Sequence, residues 1–220
     1  MAEHNFSKVD TRVRFPSPAH SPLTMSQATD NYRKHTHKNP VQRFLINRYF
    51  KVLLREAKIL HPKSVLDVGC GEGFTLNKLR KANIGKDLIG VDTSVTAITL
   101  GKKQFPHLNL KEGSAYKLPF KDNTFDLVLC LEVLEHLEEP EIAFSEVVRV
   151  SKKHCIISVP NEPWFRGANF IRGKNLFRCG NDIEHIQHWS VRSFKKFIKT
   201  KLHIAKVKKP FPWTMIIGIK

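Results

Sequence analysis

Hydrophobic side chains recur at every third or fourth position after Asn39, a spacing that predicts an amphipathic helix. Asn39 is a residue type favoured at the N-cap. Pro40 suits the first helical position, where a backbone N–H would have no partner within the helix. The apolar positions of the stripe are Val41, Phe44, Leu45, Tyr49, Val52 and Leu53. We expect this helix to precede the main fold and to cover one end of it.

From residue 64 the pattern changes to short, continuous apolar runs separated by helical segments. The runs that predict strands are 64–68, 88–91, 108–110, 125–131, 155–159, 203–208 and 213–219. Helices are predicted near 73–82, 94–104, 140–149 and 191–200. Strands that are apolar throughout need cover on both faces, so this order predicts an α/β, doubly wound fold with a seven-stranded, mostly parallel sheet.

Three glycines at alternate positions, Gly69, Gly71 and Gly73, directly follow the first predicted strand. Glycines there allow a tight turn and a close approach of a ligand to the backbone, beside the free amides of a helix N-terminus. Asp67 stands two residues before the loop, and Asp92 ends the next predicted strand, where a carboxylate suits a ribose diol. The pattern indicates a nucleotide-type ligand at this edge of the sheet.

The spacing of the loop favours one class of nucleotide ligand over another. A dinucleotide loop needs Gly-x-Gly-x-x-Gly, and here the third glycine comes one residue early. The Asp67 carboxylate is also better suited to a cation than to a pyrophosphate. A ligand with a ribose, an adenine and a positively charged amino-acid part fits these residues better than NAD.

These residues and four further segments resemble the class I S-adenosylmethionine-dependent methyltransferases, in particular the type 11 group related to ubiquinone and menaquinone biosynthesis enzymes. The resemblance runs from about Asn39 to the C-terminus and is carried by 65–73, 89–94, 113–120, 125–136 and 159–161. It implies a Rossmann-like sheet with an antiparallel last strand. It also implies S-adenosylmethionine as cofactor, bound at the carboxyl ends of the first strands, and S-adenosylhomocysteine as product.

The resemblance also implies a role for each residue at those strand ends. Asp67 and Gly69 would hold the methionine end of the cofactor, and Gly71 would lie close to it. Asp92 would bind both ribose hydroxyls.

Five further residues complete the implied cofactor site. Thr93 would flank the adenine, and Ser114 and Ala115 would lie near its edge. Many relatives carry an acid where Ser114 stands, and a hydroxyl accepts the adenine amino group more weakly. Leu131 and Glu132, at the end of the fourth strand, would line the floor under the sulfonium.

Three histidines are candidates for the acceptor side. Methyl transfer from a sulfonium needs a positioned nucleophile, and a hydroxyl acceptor is helped by a base in the pKa range of histidine. His136 follows the fourth strand, while His185 and His188 lie between the fifth strand and the next helix. The alternatives are that His136 only bonds backbone near the cofactor, and that the three-residue spacing of the other two is chance. With no third ligand evident, no metal is expected.

The segment 161–189 is too long for an ordinary connection and is predicted to be a lid. Its aromatic and aliphatic residues, such as Trp164 and Phe170, alternate with Arg166, Arg172 and Lys174. This mixture suits a lid at an anionic membrane interface, stacking and phosphate contacts with RNA, or a lid packed on its own domain.

The net charge and the composition limit the classes of binding partner and the cellular setting that we expect. The 220 residues hold 37 Lys and Arg against 20 Asp and Glu, a net charge of +17, and both flanks are more basic than the middle. If the flanks meet, they would attract phosphate-bearing partners; otherwise they form a solvated basic surface. No apolar run is long enough to span a bilayer, and the 4 cysteines have no CxxC pairing, so a cytoplasmic setting without disulfides is expected.

We therefore expect a single domain over 31–220, with residues 1–30 disordered. Its expected reaction is methyl transfer, at oxygen, to a hydrophobic, lipid-like or phosphorylated small molecule, with peripheral contact to an anionic membrane. The alternative is a tRNA methyltransferase, although Leu131-Glu-Val-Leu134 stands where base-modifying enzymes carry Asn-Pro-Pro-Tyr/Phe. A noncatalytic cofactor-binding partner of another enzyme is a third alternative.

Overall fold

The computed structural model describes residues 39–162 and 186–220. In chain order these residues form α1 (Pro40–Ile59), β1 (Ser64–Val68), α2 (Phe74–Lys81), β2 (Asp87–Asp92), α3 (Val95–Gln104), β3 (Asn109–Glu112), β4 (Phe125–Leu131), a 3₁₀ turn (Leu134–His136), α4 (Pro140–Val150), β5 (Ser151–Pro160), α5 (Val191–Ile198), β6 (His203–Lys208) and β7 (Trp213–Ile219). Asn39 caps α1 as expected, because its side chain accepts from the backbone N–H groups of Val41 and Gln42.

The seven strands form one sheet in the order β3-β2-β1-β4-β5-β7-β6. β1 pairs in parallel with both β2 and β4, and β7 runs antiparallel to β5 and β6. The predicted α/β, mostly parallel sheet with an antiparallel last strand is therefore confirmed. Since the order reverses beside β1, the crevice at the carboxyl ends of β1, β2 and β4 is the place where such sheets bind ligands.

The sheet separates two apolar layers, and alternate residues of each strand face opposite sides. On β4, Leu127 and Leu129 pack with the apolar residues of α1, α2 and α3, whereas Val128 and Cys130 pack with those of α4 and α5. Both faces are buried, which explains why the strands read as continuous apolar runs. This double cover leaves the strand ends, rather than the faces, for a ligand.

Two elements differ from the sequence prediction, and two predicted segments fall outside the described residues. β5 begins at Ser151, not near residue 155, because Lys152 and Lys153 are exposed and hide the start of the strand from an apolar pattern. The 3₁₀ turn after β4 was not predicted. Residues 1–30 and most of the predicted lid, 163–185, lie outside the described ranges.

Candidate functional site

The loop between β1 and α2 is held in a left-handed backbone conformation at each of its three glycines. Gly69, Gly71 and Gly73 have φ values of +73°, +53° and +84°. A Cβ atom at Gly69 would collide with the Val133 side chain from the turn after β4. The backbone N–H of Gly69 donates to the Val91 carbonyl oxygen at 2.8 Å. Glycine is thus required here for both conformation and space, and the loop backbone stays open to a ligand.

Asp92 ties the end of β2 to this loop. Its Oδ2 accepts from the Gly71 N–H, and its Oδ1 accepts from the Ser94 N–H, both at 2.8 Å. Each carboxylate oxygen can accept more than one hydrogen bond, so the two backbone donors orient the group without exhausting its capacity. Asp92 is half-buried at the strand end, where a diol can reach both oxygens.

Asp67 is a buried carboxyl group beside Asp92. It is 2% exposed, and its Oδ2 has no hydrogen-bond partner among the described residues. Burial, and then the negative charge of Asp92, raise the pKa of Asp67 to about 8. A buried, incompletely satisfied carboxyl group fits a positively charged ligand group, because a cation would compensate the cost of ionising it.

These observations fit the cofactor implied by the sequence. The left-handed glycine loop provides backbone at close range, Asp92 presents two oriented oxygens for a diol, and Asp67 presents a buried carboxyl group with one oxygen unpartnered among the described residues. The three features lie at adjacent strand ends, since β1 pairs directly with β2.

The adenine-side residues predicted from the sequence lie next to Asp92. The Gly113 N–H donates to the Asp92 carbonyl oxygen at 3.0 Å, which brings the segment after β3 against the end of β2. Ser114 Oγ accepts from the Tyr116 N–H at 3.2 Å within a turn, and Ala115 packs against the apolar core. Thr93 is exposed. Their contacts with an adenine stay a prediction.

The end of β4 forms the other wall of the crevice. Leu131 and Glu132 are half-buried, and Glu132 has a φ of +59°, a left-handed value that is uncommon for a residue other than glycine. Glu132 Oε1 accepts from the Ser158 hydroxyl at 2.9 Å. Residues after β4 then turn through the 3₁₀ segment, which contains the buried Glu135 and the exposed His136.

The described residues at the end of the predicted lid pack against this turn. The backbone N–H groups of Ile186 and Gln187 donate to the Glu135 carbonyl oxygen at 2.8 and 2.9 Å. The Glu162 N–H donates to the Trp189 carbonyl oxygen at 2.9 Å, so the two described ends of the 163–185 segment meet at this edge. His136 and the exposed His188 thus belong to segments in contact, while His185 lies outside the described residues. Among the described residues, no cluster of His, Cys, Asp or Glu could hold a metal ion.

Two residues of this region were missed by the sequence analysis. Tyr49 was predicted only as part of the apolar stripe of α1, and Ser158 only as part of an apolar strand. The Tyr49 hydroxyl lies 2.7 Å from Ser158 Oγ, and the two residues are 109 positions apart. No local pattern links residues at that separation.

Comparison with known proteins agrees with the geometry. Residues 66–159 match the model of a family described as a methyltransferase domain. Residues 66–159, which are less than half of the chain, therefore carry a methyltransferase domain of the S-adenosylmethionine-dependent type. The match spans β1 to β5, which includes the glycine loop, Asp92 and the end of β4.

Two relatives of this segment are themselves named as methyltransferases. A demethylmenaquinone methyltransferase from Renibacterium salmoninarum is 36% identical over 88 residues, 40% of this chain and 36% of that protein. A mitochondrial ubiquinone biosynthesis O-methyltransferase from Schizosaccharomyces pombe is 37% identical over 110 residues, 44% of this chain and 38% of that protein. The chain thus spans little more than a third of the length of these relatives.

A solved structure extends the likeness of the methyltransferase domain to nearly the whole chain. The magnesium protoporphyrin IX methyltransferase from Synechocystis, solved with bound SAH, has a TM-score of 0.66 at 16% identity and covers 88% of this chain and 95% of that one. At this identity the likeness shows the fold.

No helix of the described residues is long and apolar enough to cross a membrane.

Proposed function

We propose that this chain transfers a methyl group from S-adenosylmethionine to a hydroxyl oxygen of a hydrophobic small molecule. The observation that carries the proposal is the buried Asp67 carboxyl group beside the oriented Asp92 carboxylate. The bound cofactor would supply a methyl group already activated on a positively charged sulfur. Asp67 would hold the amino group of the cofactor, Asp92 its ribose hydroxyls, and Gly69 and Gly71 would let the backbone approach it.

The other cofactor contacts are proposed from position. Thr93, Ser114 and Ala115 would surround the adenine, because the Gly113–Asp92 hydrogen bond places their segment beside the ribose acid. Leu131 and Glu132 would line the floor of the crevice below the reacting centre. Since the cofactor is already activated, these residues need only position it and exclude water.

A hydrophobic acceptor is supported by apolar side chains at the same edge of the sheet. α1 reaches this edge at Tyr49, whose hydroxyl lies 2.7 Å from Ser158 Oγ near the carboxyl end of β5. Earlier in the same helix, Val41 is 59% exposed and Phe44 is 64% exposed. Exposed apolar side chains beside a crevice are typical of a site for an apolar ligand. The quinone-related names of the two relatives point to the same kind of acceptor.

His136, His185 and His188 are proposed to serve the acceptor. The contact between the turn after β4 and residues 186–189 supports a shared location for two of them. An imidazole there could bind the acceptor hydroxyl or take its proton. Replacing each histidine by glutamine separates these roles, since a binding residue raises KM and a base lowers kcat.

The test of the proposed function is transfer of label from methyl-labelled S-adenosylmethionine into a fractionated cell extract. We expect label in the organic phase, in a product whose methyl group resists acid and base as a methyl ether does. Label confined to nuclease-sensitive material would contradict the proposal and support the tRNA alternative. Binding of the cofactor without any transfer would support the noncatalytic alternative.

We also propose that the outer face of α5 contacts an anionic membrane surface. Arg192, Lys195, Lys196 and Lys199 are exposed at spacings that align them along one side of the helix, and with Val191 they line a surface depression of about 530 Å³. The apolar side of α5 is buried in the core. Exposed cations of this row attract phosphates, and the row itself carries no aromatic side chain for stacking bases.

Sedimentation with vesicles tests this contact. A Gln variant at the four α5 positions should lose affinity for phosphatidylglycerol-containing vesicles by about a hundredfold or more, at about 1 kcal/mol per cation. The matched control replaces the exposed Lys81, Lys102, Lys103 and Lys121 by Gln, which removes the same charge elsewhere. Equal losses in both variants, or binding to tRNA but not to vesicles, would contradict the membrane proposal.

A further inference from the structure

Three hydrogen-bonded side chains connect α1 to the end of β4. The Tyr49 hydroxyl lies 2.7 Å from Ser158 Oγ, and the Ser158 hydroxyl donates to Glu132 Oε1 at 2.9 Å. The Glu132 N–H also donates to the Ser158 carbonyl oxygen at 3.1 Å. Tyr49 is 6% exposed and Ser158 fully buried, so protein surrounds the chain of bonds up to Glu132.

The number of available protons sets the direction of these hydrogen bonds. A serine hydroxyl has one proton, and Ser158 gives it to Glu132, so the bond between Tyr49 and Ser158 must be donated by the tyrosine. Burial, and then the negative charge of Glu132, hold the pKa of Tyr49 well above its usual value, which keeps the phenol protonated. Both hydroxyl groups therefore donate towards one carboxylate oxygen of Glu132.

Glu132 lies directly after the carboxyl end of β4, at the edge of the sheet where the glycine loop follows β1. β4 pairs directly with β1, the strand that carries Asp67. Burial raises the pKa of Tyr49 most, and Glu132, Asp67 and Glu135 raise it further when they are ionised. The left-handed backbone of Glu132 is a second mark of a functional position, because such strain persists where the surroundings hold it in place.

We propose that Glu132, rather than one of the three histidines, takes the proton of the acceptor hydroxyl, which leaves the histidines to bind the acceptor. Tyr49 and Ser158 are positioning residues that orient Glu132. The inference rests on the proposed O-methyl transfer. As the acceptor oxygen bonds to the methyl carbon, the methyl–sulfur bond breaks with its electron pair going to sulfur, and the hydroxyl proton passes to the Glu132 carboxylate. The helix before the sheet thus takes part in the acceptor site.

The test compares Glu132→Gln, Tyr49→Phe and Ser158→Ala in the full chain, with the organic-extractable fraction of the cell extract as acceptor. Glu132→Gln should lower kcat by about 100-fold or more, the usual range for a general base, and remove the acidic limb of the kcat–pH profile. Tyr49→Phe and Ser158→Ala should lower kcat by about fivefold to twentyfold, since the base remains but is less well held. Glu138→Gln and Ser145→Ala are matched controls: Glu138 is exposed after the 3₁₀ turn, and the half-buried Ser145 hydroxyl donates only to the Glu141 carbonyl oxygen within α4.

Calorimetry with S-adenosylhomocysteine supplies a readout independent of activity. All three variants should bind it within about threefold of the unsubstituted chain, because the proposed loss concerns the acceptor. A threefold change in affinity is well below the tenfold change that corresponds to about 1.4 kcal/mol. An equal loss of S-adenosylhomocysteine affinity and kcat would overturn the inference. It would mean that these hydrogen bonds support cofactor binding. Unchanged kcat in Tyr49→Phe and Ser158→Ala would overturn it as well. If the unsubstituted chain itself labels no organic acceptor, the proposed function fails first.

Discussion

The Asp92 carboxylate accepts the Gly71 N–H at 2.8 Å, so the acid at the end of β2 also holds the loop that follows β1. The two features that the sequence identified separately therefore act as one unit. A ligand that engages Asp92 meets a carboxylate already oriented by backbone donors, which lowers the conformational cost of binding.

Replacing Asp92 by alanine should remove most of the cofactor affinity. The variant loses both proposed ribose contacts and the support of Gly71. Hydrogen bonds to a charged group contribute about 1.5–3 kcal/mol each, so two of them correspond to a loss of about a hundredfold or more. Calorimetry with S-adenosylhomocysteine measures it. Glu112→Ala is the matched control, since this exposed acid ends the neighbouring strand β3. Near-normal affinity of Asp92→Ala would refute the ribose assignment.

Asp67 should couple stability to pH. Its pKa is raised to about 8 from 3.8, so between these values the folded state holds a proton that the unfolded state has lost. Stability from this group is therefore full below about pH 4 and is lost as the pH rises to about 8. In urea unfolding of the cofactor-free chain, the free energy of unfolding should fall less steeply between pH 5 and pH 8 in Asp67→Asn than in the original chain. Asp87→Asn, an exposed acid, should keep the original slope.

The same group should release a proton when the cofactor binds. A cation beside Asp67 favours its ionised form, so binding near pH 6.5 should shift the proton balance towards release. Calorimetry in buffers of different ionisation enthalpy measures this number, and Asp67→Asn supplies the reference without the carboxyl group. Identical proton balances in the two proteins would show that Asp67 does not meet the cation.

Gly69→Ala should disturb both the loop and its ligand. The left-handed conformation costs a residue with a Cβ about 1–2 kcal/mol, and the collision with Val133 adds to it. We expect a lower melting temperature and weaker S-adenosylhomocysteine binding. Adding Val133→Ala should restore the stability that was lost through the collision, whereas the loss caused by the left-handed φ should remain. If Gly69→Ala alone melts and binds as the original chain does, the loop tolerates a side chain.

The sequence predicted the fold well where the physical signal was local. Strand ends at Val68 and Asp92 followed from apolar runs that stop at a glycine or an acid, and parallel pairing then brought Asp67 and Asp92 together. β5 was placed late because Lys152 and Lys153 face solvent at its start.

The parts of the site that were not predicted depend on contacts between distant segments. Tyr49 meets Ser158 only because α1 packs across the sheet, and the apolar stripe of a helix does not show which hydroxyl will find a partner. The contact of residues 186–187 with Glu135 likewise depends on how the chain returns after β5. Such pairings require the tertiary arrangement.

A buried ion cluster far along α1 gives a prediction about stability alone. Glu56 is 2% exposed and lies 2.9 Å from Arg55 Nη2, 3.3 Å from Lys206 Nζ and 3.4 Å from Lys208 Nζ. Burial alone would raise the pKa of Glu56, but hydrogen bonds from Arg55 and Lys206 outweigh it and lower the pKa. The carboxylate thus joins α1 to the edge strand β6 by pairing with two of its lysines.

Glu56→Gln should therefore destabilise the chain by about 2 kcal/mol at pH 7, because it removes charge-assisted bonds and leaves two lysines close together. Since the folded pKa is lowered, this stability is present above the usual pKa of 4.5 and is lost as the pH falls through the folded value. Urea unfolding should show the difference from the original chain shrinking below pH 4.5. The exposed Glu138→Gln should match the original at every pH. A constant difference down to pH 3 would mean that packing, rather than charge, accounts for the role of Glu56.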